Sequence, residues 1–373
     1  MIVQKFKKWI HSETVLFISA AFAVLSMIFV PPSADYIEYI DLRVLGLLFC
    51  LMTVVGGFHE TGVFTVLSRK LLSKVRTTRS LIFVLVMLCF FSSMWITNDV
   101  ALLTFVPFAV MILEMTGYNR YLIFVVVLQT IAANLGSMLT PVGNPQNLLL
   151  YSYFGLSINE FLMITFPCTL ISLLLLIIFL IVVKKEPIQF TLPEAAPKKK
   201  HNQLYIGLFV VLFIISLLTV LHLIDYRITV LLVFVSVLFL DRKVLKKVDY
   251  SLLLTFVCFF ILVGNIGNIT TVKDFLVDYL YQRELIASLI LSQGISNVPA
   301  AALLSAFTDN YQGLILGTDI GGLGTLVASL ASLISYKLYC RTNNAKPLKY
   351  LGVFTVYNII FLVILLIFSF LVY

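Results

Sequence analysis

Charged residues are scarce in this 373-residue chain. Asp, Glu, Lys and Arg make up 12% of it, against about a quarter in ordinary soluble domains. A water-facing globular surface cannot be built from so few charges. Cysteine is also sparse. The five (Cys50, Cys89, Cys168, Cys258 and Cys340) lie far apart in or beside separate apolar runs, which excludes a CxxC redox pair or a Cys-rich zinc site. The four histidines (His11, His59, His201 and His222) fall near segment boundaries and form no ligand set. There is no Walker loop, so ATPase, hydrolase and haem chemistry have no footing. Short alternating apolar segments, the mark of a transmembrane barrel, are missing as well.

What fills the chain is apolar side chain: 61% hydrophobic residues and a mean hydropathy of +1.05. Apolar runs of membrane-spanning length recur from residue 14 to 373, which predicts an all-α polytopic membrane protein. Helices are predicted at 14–30, 42–57, 81–97, 98–115, 121–137, 148–183, 204–222, 226–240, 251–266, 284–296, 298–307, 312–340 and 350–372. Residues 14–30 read as a retained first helix, since the run is long and no small-residue cleavage site follows it.

The net charge of +8 is a topology signal. With the N-terminus inside, stretches 5–8, 69–79, 120, 184–200, 242–247 and 337–349 hold 22 of the 26 Lys and Arg. Such asymmetry follows the positive-inside rule and places a multi-pass protein in the cytoplasmic membrane, with the lipid bilayer as its partner. The basic residues are spread over many short loops, so no nucleic-acid partner is expected.

The chain repeats itself. The first half carries "VVGGFHETGVFTVLSRKLL" (54–72), "ITNDVALLTFVPF" (96–108) and "LTPVGNPQNLLLY" (139–151); the second carries "LVGNIGNITTVKDFLVDYL" (262–280), "ISNVPAAALLSAF" (295–307) and "GTDIGGLGTLVASLASL" (317–333). Each half has a Gly-interrupted helix end, an amphipathic stretch, an Asn-containing tip and a Gly-rich break. The first amphipathic stretch is basic and reads as cytoplasmic; the second, with Asp274, Asp278 and Glu284, reads as external. Two inverted-topology repeats are therefore expected, each with a re-entrant helical hairpin and a broken transmembrane helix, a pattern of secondary transporters.

The first repeat would run over 1–183: helices 14–30 and 42–57, a cytoplasmic amphipathic stretch at 59–79, a hairpin at 81–115, a broken helix at 121–165 and a helix to 183. Residues 184–203 form a Pro- and Lys-rich cytoplasmic linker and 204–225 a connecting helix. The second, inverted repeat is 226–373, with hairpin 284–307, broken helix 312–340 and last helix 350–372.

Backbone that turns at membrane depth must be covered by protein or face a wet cavity. Asn98, Asp99, Ser296 and Asn297 can partner the tips and offer oxygens to a cation. At the breaks, Pro141 and Pro145 remove helical donors, while Gly143, Gly321, Gly322 and Gly324 let the chain turn. Freed carbonyls suit a cation; the exposed helix start at 147–150 suits an anion. Asp99 and Asp319 are carboxylates at membrane depth, costly unless protonated or beside a cation, which is the physics of a proton or sodium switch. No Lys or Arg is predicted inside the site, so a cation or a neutral solute fits as well as an anion.

These motifs resemble the ion transporter superfamily: the arsenite permease, the citrate-metal:proton symporters, the divalent anion:sodium symporters and related sodium/proton antiporters. "TPVGNPQN" looks like that superfamily's first break, "TNDVALLTFVPF" and "SNVP" like its two tips, and "TDIGGLGTLVASLASL" like its second break, over about residues 42–340. Asp99 and Val298 stand where the divalent anion symporters have Thr, and Leu326 and Ala328 where the arsenite permease has Pro and Gly. The resemblance implies a scaffold domain, which often forms a homodimer in those families, and a transport domain. It implies substrate binding by Asn98, Thr140, Gly143, Asn144, Asn147, Ser296, Asn297, Gly324 and Thr325. Cation or proton coupling would fall to Asp99, Asp319, Asn98 and Asn297, with no cofactor beyond a coupling sodium or proton.

The expected activity is secondary transport of a small anion, a carboxylate such as citrate or a dicarboxylate, or an inorganic oxyanion. Arsenite or antimonite efflux and sodium/proton exchange are the alternatives within transport. A channel lined by the same breaks or a membrane subunit without transport are the rivals outside it.

Overall fold

In the computed structural model the described residues are 14–34, 36–62, 70, 75–188, 203–342 and 345–373, and they are helical nearly throughout. In chain order the main helices are α1 Thr14–Ser26, α2 Leu42–Thr61, α3 Thr78–Ile96, α4 Asn98–Met115, α5 Leu122–Ser137, α6 Pro145–Tyr153, α7 Ile158–Ile181 and α8 Gln203–Val220. They continue as α9 Tyr226–Leu240, α10 Tyr250–Gly267, α11 Thr270–Leu280, α12 Glu284–Ile295, α13 Asn297–Leu304, α14 Tyr311–Gly321, α15 Leu330–Cys340 and α16 Pro347–Val372. Among the described residues eight helical stretches are long and apolar enough to cross a bilayer: α2, α3, α4, residues 119–137, α7, α8, α10 and α16. The chain is a multi-pass all-α membrane protein. Most of the predicted amphipathic stretch at 59–79 and most of the linker at 184–203 lie outside the described residues.

Helix starts follow local chemistry. The Asp41 carboxylate accepts from Arg43 and Val44 N–H at the head of α2, and Asp225 and Asp249 cap α9 and α10 in the same way. Thr77 and Ser80 form a capping box on α3, satisfying backbone donors that a helix start leaves unpaired. The long helices expose rows of large apolar side chains: Phe166, Leu170, Leu174 and Ile178 on α7 recur every four residues. A row of that kind along a helix faces lipid.

Three expectations are corrected. Residues 148–183 are not one helix. The chain leaves α6 at Phe154, turns through Gly155 at φ 61°, and restarts α7 behind a Ser157–Glu160 capping box. Residues 270–280 form a helix of their own, α11. Glu284, read from sequence as part of an external polar stretch, is buried, and its carboxylate accepts from Thr308 Oγ1 and Asn310 Nδ2, both at 3.1 Å.

The packing around the centre is reciprocal. α3 and α4 form one helical hairpin and α12 and α13 another; α3 lies on α5 and α12 on α14. The second arm of each hairpin then packs on the helix beyond the other half's break, α4 on α15 and α13 on α6. At one end of the molecule, segments 75–80, 120 and 183–188 meet. Thr78 N donates to Glu186 O at 2.9 Å, Arg79 Nε to Val183 O at 2.8 Å, and Arg120 pairs with Glu186. This end gathers much of the basic charge.

Candidate transport site

Both hairpins turn on a single non-glycine residue with left-handed backbone. Thr97 has φ 68°, ψ 150° and Ser296 has φ 77°, ψ 153°. This region is nearly glycine's alone and costs about 1–3 kcal/mol for other residues. What holds each turn is a bond to the break of its own half. Asn98 N donates to Gly143 O at 3.0 Å, and Asn297 N donates to Ala328 O at 2.9 Å. Each tip is thus inside the protein, with Asn98 and Asn297 only 4% and 3% exposed.

The first break spans residues 138–144. Asn144 ends it as the cap of α6, its Oδ1 accepting from Asn147 N at 2.8 Å, with Pro145 in the first helical position. Proline there loses nothing, because that N–H has no helical acceptor. Gly143 allows a close approach: a Cβ would run into the Ser137 carbonyl, with Ser137 Cα at 2.8 Å. Thr140 Oγ1 donates to Met94 O on α3 and ties the break to the hairpin. The second break spans 322–329 and is laced to α12 by Gln293. Its amide donates to Gly321 O and Leu323 O at 2.8 and 3.0 Å, and its oxygen accepts from Thr325 N at 2.9 Å. Gly324, at φ 102°, makes that turn.

Between tips and breaks lies a polar network. Asn98 Nδ2 and Ser329 Oγ both donate to Asn134 Oδ1 at 3.1 Å. Asn134 Nδ2 reaches Gly322 O and Ser332 Oγ, each at 3.4 Å. Asp319 Oδ1 accepts from Asn144 Nδ2 at 3.2 Å and Gln146 Nε2 at 3.3 Å, and the Asn147 amide also faces this carboxylate. Asp319 Oδ2 and Asp99 Oδ1 are buried oxygens without a hydrogen-bond partner among the described residues.

Two hollows adjoin this network. The larger, about 500 Å³, runs between α2, α4 and α6, with Thr97, Asp99, Asn144, His59 and Lys247 on its wall. The smaller, about 280 Å³, is lined by Asn98, Asp99, Pro145, Gln146, Ser296, Asn297, Ser329 and Leu330. Asp99 and Asp249 line both. The smaller hollow therefore meets the first turns of α4, α6, α10, α13 and α15 at once. Each helix N-terminus acts like roughly half a positive charge, so the five together offset slightly more than the charge of two carboxylates.

The structure thus brings Asn98, Asp99, Asn144, Ser296 and Asn297 to one pair of hollows. Asp319 and Asn147 sit buried one layer behind the Asn144 and Gln146 wall. Thr140, Gly143, Gly324 and Thr325 shape the breaks and do not line either hollow; Thr325 is exposed and bonded to Gln293. The expected absence of basic residues needs correction. Lys247 and Lys337 lie on the walls, both exposed, with Lys247 paired to Glu60. Sequence reasoning missed Asn134, Gln146, Asp249 and Ser329. Gln146 lay within the quoted break, and Ser329 within the second one; Asn134 and Asp249 carry no local signal of their role.

The model of the citrate transporter family matches residues 1–313. A transporter of Methanocaldococcus jannaschii is 31% identical over 87% of this chain and 88% of its own length. The inner membrane protein YbiR of Escherichia coli is 31% identical over 77% of each chain. The silicon efflux transporter LSI3 of Oryza sativa is 34% identical over 40% of this chain and 30% of its own. With its spanning helices and a polar site buried among them, the chain is a membrane transporter and belongs to the citrate transporter family.

Proposed function

We propose that this chain is a secondary carrier for a small anion, a carboxylate such as citrate or an inorganic oxyanion, coupled to protons or sodium. The observation that carries this is the convergence of five helix N-termini on one hollow that also holds Asp99 and Asp249. With both carboxylates ionised, the five partial charges are roughly balanced, and Lys337 on the same wall is exposed and screened by solvent. Protonating one carboxylate, or seating a cation beside it, turns the site positive and lets an anion enter. Coupling then follows from charge balance: solute and cation bind better together than apart. Among the described residues no three acidic, His or Cys groups cluster tightly enough to cage a metal. A divalent cation would therefore travel with oxygens of its own anion.

The reciprocal packing of α3–α6 and α12–α15 supports reading the halves as inverted repeats, with the two breaks and tips as moving parts. Lys247 and Lys337, exposed on the walls of the hollows, stand in stretches the positive-inside rule assigns to the cytoplasm. This form is inward-facing, in the cytoplasmic membrane with the N-terminus inside. A second reading, a neutral hydroxylated solute, rests on the amide and hydroxyl wall of Asn98, Gln146, Asn297 and Ser329. Thermal shift of the purified protein separates them. The carrier reading expects citrate to stabilise it only with sodium or at lowered pH. Stabilisation by silicic acid or arsenite, indifferent to sodium and pH, favours the second; no response to any of these contradicts both.

A further inference from the structure

At the basic end of the molecule, two further hollows lie side by side. One, about 500 Å³, is an open trough along α4 walled by Pro107, Val110, Met111, Met115 and Leu338. The other, about 270 Å³, lies where α5, α15 and α16 meet, and Arg120, Lys346 and Lys349 line it. Glu114 and Thr342 belong to both walls, so the hollows adjoin, and Arg341 lines the trough beside them. Arg341, Lys346 and Lys349 are exposed. Among the described residues none of the three is in an ion pair, whereas Arg120 is held by Glu186. Glu114 is the acidic residue on these walls, against four basic ones.

We propose that this groove binds an anionic phospholipid, one acyl chain in the α4 trough and the phosphate on Arg341, Lys346 and Lys349. The shape selects the class. A free anion has no use for an apolar trough beside the cationic pocket along a membrane helix. A zwitterionic lipid brings its own cation to a pocket that already has a surplus. Basic pockets between transmembrane helices at the cytoplasmic surface recognise acidic headgroups by this complementarity. The location gives the lipid leverage. It bridges the far ends of α4 and α15, whose near ends carry Asn98 and Ser329 at the transport site. A bound lipid fixes the spacing of these two helices and favours the inward-facing form.

The test uses the full-length protein in detergent and Arg341→Gln/Lys346→Gln/Lys349→Gln, with phosphatidylglycerol, phosphatidylcholine and inorganic phosphate as probes. Bound lipid is counted by native mass spectrometry and stability by thermal melts. Phosphatidylglycerol should remain bound to the unaltered protein and raise its Tm by about 2 °C at tenfold its Kd. The triple variant should lose most of that response. If it fails to fold, Met111→Trp fills the trough with all charges kept and should also abolish the lipid response. An equal shift with inorganic phosphate, an equal shift with phosphatidylcholine, or an undiminished response in the variants overturns the proposal.

Discussion

Replacing Asp319 with asparagine separates its charge from its hydrogen bonds. Asp319 is 2% exposed, and its Oδ1 accepts the amides of Asn144 and Gln146. Asparagine keeps an Oδ1 in that place and the shape of the wall, but its Nδ2 stands where Oδ2 has no partner, so the cost is about 1–3 kcal/mol. Asp319→Ala is different. Asn144 retains Ser137 Oγ at 3.2 Å, but the Gln146 amide loses its acceptor. A buried donor left bare costs about 1–3 kcal/mol and the emptied space adds to it, together a fall of several degrees at about 1.3 °C per kcal/mol for a chain of 373 residues. The account therefore expects Asp319→Asn to melt within about 4 °C of the unaltered protein yet lose uptake and the response of its Tm to sodium or pH. Asp319→Ala should lose both stability and uptake. Melts and liposome uptake on the same preparations decide it. An asparagine variant that transports with unchanged ion dependence refutes the assignment of Asp319 as a coupling group.

Thr97→Gly and Ser296→Gly relieve the strained tips, and each should stabilise by about 1 kcal/mol in thermal or denaturant melts. Gly136→Ala should do the reverse: its Cβ would strike the Phe90 carbonyl and lie 2.7 Å from Ser93 Oγ. Overpacking of about 1–3 kcal/mol outweighs the roughly 0.5–1 kcal/mol that alanine gains over glycine in a helix, so expression and Tm should fall. His222, in the turn after α8, contacts Arg43 and stacks on Tyr151. Burial and the Arg43 charge hold its pKa below the usual value of 6.5. A depressed histidine favours the neutral fold, so its contribution is present above about pH 6.5 and lost as pH falls through its lower folded value. His222→Gln should remove that part of the acid decline in melts between about pH 5 and 8.

Much of the fold was legible because membrane helices announce themselves by length and apolarity; α4 was read at 98–115, the bounds it has. The boundary between α6 and α7 was also written in the sequence, as Gly155 and the Ser157–Glu160 spacing, but the unbroken hydropathy around it hid the signal. At the site, Asn and Pro marked the tips and breaks, since polar turns in apolar runs stand out. Asn134 and Asp249 did not, because a single polar residue inside or at the start of a helix acquires its role only when tertiary packing brings it to the tips. The strained φ of Thr97 and Ser296 was invisible for a related reason: their side chains suit ordinary turns, and the strain comes from the bonds to Gly143 and Ala328.

The most direct test of the carrier account is uptake of radiolabelled citrate into liposomes containing the purified chain, under an imposed pH or sodium gradient. The account predicts saturable, gradient-driven uptake that collapses in Asn98→Ala and Asn297→Ala variants that still melt as folded proteins. Uptake unaffected by the gradient, or equally fast in the two variants, would contradict it.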